Sequence, residues 1–225
     1  MCEAISEEAI PKIRYGDPQF IANTLWAFAA LRVDSPPGTH FFAEAAVPQL
    51  AQFDTQGLSN TAWSLARLEY DDPPLLDALS AEVIRKISQC DAQGLGNPVW
   101  SFAALGMRDR ELMAAIATEA MAMLSDFNPQ NLANTAWSFA RLCVSDEPLI
   151  PAISAEALRR LSLFISQNLT NLAWAFATSL FHNKPLLAAL AAQAIARMND
   201  CSPQDLGNTV WSFANRAFSD PPFLE

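Results

Sequence analysis

All six tryptophans fall on one arithmetic series: Trp26, Trp63, Trp100, Trp137, Trp174 and Trp211, each step 37 residues with no insertion or deletion. Three positions before each stands an asparagine: Asn23, Asn60, Asn97, Asn134, Asn171 and Asn208. Seven before each stands a glutamine: Gln19, Gln56, Gln93, Gln130, Gln167 and Gln204. Three after lies an alanine, from Ala29 and Ala66 through Ala103, Ala140 and Ala177 to Ala214. Three further residue types held in six registers are a tandem repeat. A period in this range belongs to solenoids, whose units bury their apolar faces against their neighbours.

Each repeat reads as two helices. The first begins at a cap, Asp17, Asp54, Asp91, Asn128 or Ser202, with proline next at Pro18, Pro129 and Pro203. Asp, Asn and Ser accept the orphan N–H bonds of a first turn, and proline at the first helical position loses no bond. Ile165 breaks the pattern and predicts a helix starting at Ser166. The second helix follows a junction such as Asp71-Asp72-Pro73-Pro74, Ser145-Asp146-Glu147-Pro148 or Lys184-Pro185. It then runs apolar at helical spacing, as in Leu75, Leu76, Leu79, Val83, Ile84 and Ile87. No stretch alternates like a strand. The expected fold is all-α, a right-handed α-solenoid of helical hairpins with a 37-residue repeat. Full repeats are expected over 17–53, 54–90, 91–127, 128–164 and 165–201, with partial ones over 1–16 and 202–225. Residues Ala4 to Ile13 align with Ala152 to Leu161, and the chain closes at Ser219-Asp220-Pro221-Pro222, the entry to another second helix. It is therefore expected to be a segment of a longer repeat protein.

Composition narrows the function classes. With 51% hydrophobic and 17% charged residues over 225 positions, a buried core is affordable and wholesale disorder is excluded. No apolar run approaches the roughly 20 residues of a membrane span. Four cysteines without a Cys-x-x-Cys pair argue against a disulfide scaffold. The first residues, with Glu3, Glu7 and Glu8, resemble neither a signal nor a transit peptide. A net charge of −10 counts against nucleic acid until the acids are placed. Twelve of 13 aspartates, all but Asp77, lie at or near helix junctions, where they cap N-termini. Arginine lies elsewhere. Arg32, Arg67, Arg108, Arg141 and Arg216 sit toward the ends of first helices; Lys12, Arg85, Lys86, Arg159, Arg160 and Arg197 recur late in second helices. These rows serve either phosphate binding or compensation of helix dipoles.

At 100° per residue the first helix has two faces. Leu58, Ala62, Leu65 and their equivalents form an apolar face; Phe102, Phe139, Phe176 and Phe213 share the register of Leu65. Gln, Asn, Trp and the residue four after Trp lie within about 60° on a second stripe. A large aromatic at a fixed register is expected to fill the same inter-repeat hole each time. The Asn and Gln rows are either a buried inter-repeat ladder or a ladder bonding the backbone of an extended ligand. Selectivity must come from registers that vary. Four after Trp stand Ala30, Arg67, Ala104, Arg141, Thr178 and Asn215; six before it stand Phe20, Gly57, Gly94, Asn131, Asn168 and Asp205. Both registers are expected to be exposed, as readers of a ligand or as drift on a solvated face. The small residue after Trp (Ser64, Ser101, Ser138, Ser212) implies close helix contacts.

No catalytic constellation is visible. His40 and His182 stand in different registers, no spacing fits a triad or zinc site, and no glycine fingerprint for phosphate occurs. Cys90 and Cys201 share a register late in the second helix, expected to be a buried small hydrophobe. No enzyme activity, metal, cofactor or small-molecule substrate is expected.

The unit Gln-Asn-Leu-Ala-Asn-Thr-Ala-Trp-Ser-Phe-Ala-Arg-Leu, Gln130 to Leu142, and its counterpart Gln56 to Leu68 resemble the core motif of octotricopeptide repeats. With its 37-residue period the chain is still more similar to the heptatricopeptide repeats of organellar proteins ending in a RAP domain, and to the leucine-rich region of the FAST-kinase-like family. The resemblance implies a helical-hairpin solenoid that binds single-stranded organellar RNA, one repeat per nucleotide, along its first helices. It also implies a place in the mitochondrial matrix, or a plastid. On that reading Arg67 and Arg141 contact phosphate or stack on bases, while Asn131, Asn168, Asp205, Thr178 and Asn215 face base edges. The recurrent Gln and Asn hold register. The rival is an armadillo-like scaffold whose Asn and Trp clamp an extended peptide; an acidic groove would prefer a basic one. There the Asn follows the Trp, whereas here it precedes it.

Overall fold

The computed structural model describes residues 17–32, 36–146, 148–179 and 183–215. Ala4–Ile13 and Ser219–Pro222, with Lys12, His182 and Arg216, lie outside them. The described residues are all-α. First helices are α1 (Pro18–Leu31), α3 (Thr55–Arg67), α5 (Ala92–Ala104), α7 (Pro129–Arg141), α9 (Ser166–Thr178) and α11 (Pro203–Asn215). Second helices are α2 (Pro36–Ala46), α4 (Pro73–Lys86), α6 (Arg110–Ala122), α8 (Leu149–Arg160) and α10 (Lys184–Ala196). From α3 onward the first helices start 37 residues apart. The chain divides into two compact units, Met1–Ile116 and Ala117–Glu225. Within the first, α1 packs on α3 and α3 on α5; within the second, α7 packs on α9 and α9 on α11. Within each unit a hairpin thus stacks on the next, which is the packing of an α-solenoid.

The expected caps are in place. Asp17, Asp54, Asp91 and Asn128 accept the backbone N–H three residues on, from Phe20, Gly57, Gly94 and Asn131, at 2.7–2.9 Å. Second helices repeat the device with Asp72, Asp109, Asp146 and Asn183. Helix α9 does start at Ser166, and Ile165 takes the cap conformation without a side-chain bond. Helices α1, α3, α5 and α7 end on a left-handed residue, Arg32, Glu69, Gly106 or Cys143, with φ between 50° and 74°, whereas α9 ends on the extended Ser179. After three of them the following N–H closes a six-residue loop: Tyr70 to Leu65, Met107 to Phe102 and Val144 to Phe139, each 2.9 Å.

The apolar face is buried as expected. Leu58, Ala62 and Leu65 are enclosed, and so are Phe28, Phe102, Phe139, Phe176 and Phe213. A short 3-10 turn follows each second helix and leads to an extended residue, Phe53, Cys90, Phe127, Phe164 or Cys201. That residue drops its side chain inward. Cys90 is buried there, whereas Cys201 is half-buried, and both stand past the second helix rather than within it.

The small residue after Trp has a defined task. Ser64, Ser101, Ser138 and Ser212 are buried, and each hydroxyl donates to the carbonyl of the row's Asn one turn back, at 2.6–2.7 Å. Helix α5 carries Pro98 in its interior, which leaves the Gly94 carbonyl without its helical N–H donor. The Ser59 hydroxyl of α3 donates to that carbonyl at 3.1 Å. One repeat mends the defect of its neighbour.

Candidate nucleic-acid interface

The second stripe stands on the surface of both units. Every Gln of the row is exposed. Asn60, Asn97, Asn134 and Asn171 are half-buried, whereas Asn23 and Asn208 are exposed. None of these amides has a hydrogen-bond partner among the described residues. The ladder is therefore a surface feature and not a buried one.

The tryptophans do not fill the inter-repeat core, contrary to expectation. Trp26 is 47% and Trp211 49% exposed, and the four between them are half-buried. The reason is their place on the wheel, close to the hydrophilic Gln and Asn, while the Phe two positions on takes the core. Trp137 and Trp174 lie with ring centroids 6.0 Å apart and planes tilted by 39°. The angle between Trp and the polar rows could have shown this from sequence.

The two variable registers separate. Four after Trp, Arg67, Arg141 and Asn215 are exposed and Thr178 is half-buried. Arg67 and Arg141 have no ion-pair partner among the described residues. The Thr178 hydroxyl donates to the Trp174 carbonyl at 2.8 Å, and the Asn215 amide donates to the Ala177 carbonyl at 3.3 Å. Six before Trp the expectation of exposure holds at Phe20, 38% exposed, but fails at Asn131, 7% exposed, Asn168, 6% exposed, and Gly57, which is buried, while Gly94 is half-buried. At Gly57 the position faces the adjoining chain: a Cβ would lie 3.1 Å from the Phe53 ring. Asp205 is half-buried and accepts from the N–H and hydroxyl of Ser202, closing the first turn of α11.

The second-helix basic row is engaged within the fold. Lys86 donates to the carbonyls of Ala51 and Phe53, Arg85 to Ala51, and Arg197 to Ser162. Each covers the carbonyls of the preceding 3-10 turn. Arg85 also pairs with Glu82, and Arg159 and Arg160 with Glu156, at 2.6–2.8 Å. Among the described residues the cations at the ends of first helices, Arg67 and Arg141 among them, have no such bonds, and neither do Arg110 and Lys184 at the starts of second helices. His40 serves structure too: its Nδ1 meets the Tyr70 hydroxyl at 2.7 Å and its Nε2 lies 3.4 Å from Glu44. Burial, with help from the Asp72 and Glu44 carboxylates, pushes the Tyr70 phenol above its ordinary range.

A cleft of about 270 Å³ opens between α1 and α3, lined by Gln19, Asn23, Gln56 and Asn60, with Gly57 in its wall. Among the described residues no three His, Cys, Asp or Glu side chains gather as a metal site. No described helix is long and apolar enough to cross a membrane.

Stacked hairpins carrying an exposed aromatic and amide stripe define a helical-repeat binding scaffold. The sequence model of the RNA-editing substrate-binding complex 6 protein matches residues 18–185 and, overlapping, 99–225, and the chain belongs to that family. It is a family of helical, RNA-associated repeat proteins. No curated protein matches the sequence.

Proposed function

We propose that this chain is a non-catalytic scaffold that holds single-stranded RNA along its first helices, as part of mitochondrial RNA-editing substrate binding. The observation that carries it is the exposed Gln–Asn–Trp stripe, whose amides have no partner within the described fold. Polar side chains kept unpaired at two registers through six repeats are poised for an extended polymer. The family description, RNA-editing substrate binding, supports the polymer's being RNA. Half-exposed indoles offer faces on which unpaired bases stack, worth about 1–3 kcal/mol per base. Arg67 and Arg141, free of ion pairs, take phosphate. The amides of the stripe bond sugar and base edges, and Thr178 and Asn215 border it. Kinship with octotricopeptide-type repeats belongs to the same reading, with each repeat serving one nucleotide. Partner proteins of a larger complex would dock elsewhere on the chain.

The negative charge does not oppose this reading. Aspartates hold helix N-termini, where their charge is matched by the N–H groups they accept. Fluorescence anisotropy with labelled single-stranded RNA at about 50 mM salt tests the proposal, a condition that favours phosphate contacts. Binding is expected. The Arg67→Ala, Arg141→Ala double variant should bind more weakly and lower the slope of log K against log salt by about 1.4, at ~0.7 per phosphate. A wild-type chain that binds a basic peptide and no RNA would overturn it.

A further inference from the structure

We infer that the cleft between α1 and α3 is a subsite for the edge of one unpaired nucleobase, and that Gly57 keeps it open. The inference rests on the RNA-binding reading above and assigns a part of that surface to the base rather than to the phosphate. Five amides line the cleft, two from each helix and one from the 3-10 turn between α2 and α3: Gln19 and Asn23, Gln56 and Asn60, and Gln52. Each presents both donors and an acceptor. No lysine or arginine lines it. At one end stand the carboxylates of Asp17 and Asp54, each accepting from its own helix at 2.7 Å. A lining of acceptors with no cation among them gives a phosphate nothing to pair with and favours a neutral group rich in N–H donors. In single-stranded RNA that group is the exposed Watson–Crick edge. The cleft's volume of about 270 Å³ gives room for the edge of a nucleobase.

The register six before Trp acquires a different task from direct reading. At Gly57 an added Cβ would lie 3.1 Å from the Phe53 ring and 3.2 Å from the Asp54 carboxylate. At the same register Asn131 and Asn168 are buried, so larger side chains fill the equivalent wall. The Asn128 cap still accepts the Asn131 N–H at 2.9 Å, so a side chain at this register is compatible with the cap. Variation there sets how deep the cleft is, and so which group enters.

The test is anisotropy with labelled single-stranded RNA over a series of salt concentrations, on the whole chain. Gln56→Ala with Asn60→Ala, and separately Gly57→Asn, should each weaken binding about tenfold, the effect of losing one or two hydrogen bonds. The salt slope should stay at the wild-type value, because no phosphate contact is removed. Arg67→Ala is the contrast, lowering affinity together with the slope. Wild-type affinity in both cleft variants, with unchanged helical circular dichroism, overturns the inference; so does a slope that falls. Should Gly57→Asn lose its fold, Gln56→Ala alone decides, since that side chain is exposed. A wild-type chain that binds no RNA sinks the functional reading itself, and the subsite with it.

Discussion

The Ser59 hydroxyl and Pro98 should be energetically coupled, although they stand on different helices. Pro98 has no N–H, so the Gly94 carbonyl one turn back lacks its helical donor, and Ser59 supplies one at 3.1 Å. Ser59 is 4% exposed, so water reaches the gap poorly once the hydroxyl is gone. Ser59→Ala loses a hydrogen bond and strands an acceptor, which together cost about 1–2 kcal/mol for a part-buried carbonyl. In a Pro98→Ala background the helix provides its own donor to Gly94. There Ser59→Ala should cost less than about 0.5 kcal/mol, leaving an interaction energy near ~1 kcal/mol. The four proteins of this cycle can be compared by urea unfolding followed by circular dichroism. In thermal melts the single variant should fall by about 2–4 °C for each kcal/mol in a chain of this size. An equal loss in both backgrounds would refute the argument, because Ser59 would then act by packing and not through the stranded carbonyl.

Ile165 occupies a cap conformation, φ −78° and ψ 165°, close to that of Asp54 at −74° and 175°, while its side chain is 57% exposed. Ile165→Asp should therefore raise stability by about 1 kcal/mol, read from the urea midpoint, and a fall would show that the isoleucine has a packing role. Glu69 and Cys143 hold φ of 53° and 54°, where a Cβ is strained. Replacing either by glycine should raise stability by about 0.5–1 kcal/mol after the added freedom of the unfolded chain is subtracted. Thermal melts that drop instead would contradict it. The Tyr70 phenol has a raised pKa in the folded chain, so its contribution is whole below pH ~10 and is lost as pH rises through the folded value. Tyr70→Phe should flatten the alkaline loss of stability; an unchanged profile would assign that loss to another group.

The sequence by itself determined the helices. The hairpin starts were legible in Asp17, Asp54, Asp91 and Asn128, because a cap acts on its own first turn. Even the exception at Ile165 pointed to a helix beginning at Ser166. The apolar registers of Leu58 and Phe139 were equally plain, since a residue 100° from its neighbour on a helix must share a face with those one turn away. What periodicity does not contain is the distance between adjacent helices. That spacing decided that Asn131 and Asn168 are buried, and that Gly57 lies in a cleft beside Asn60. It decided that the tryptophans stay partly exposed, with Phe taking the core. It also gave Lys86 and Arg197 to the carbonyls of a preceding turn, which a charge tally cannot distinguish from a free basic row. Local chemistry dictates each helix. Only neighbours in space decide which of its polar side chains remain free to meet a ligand.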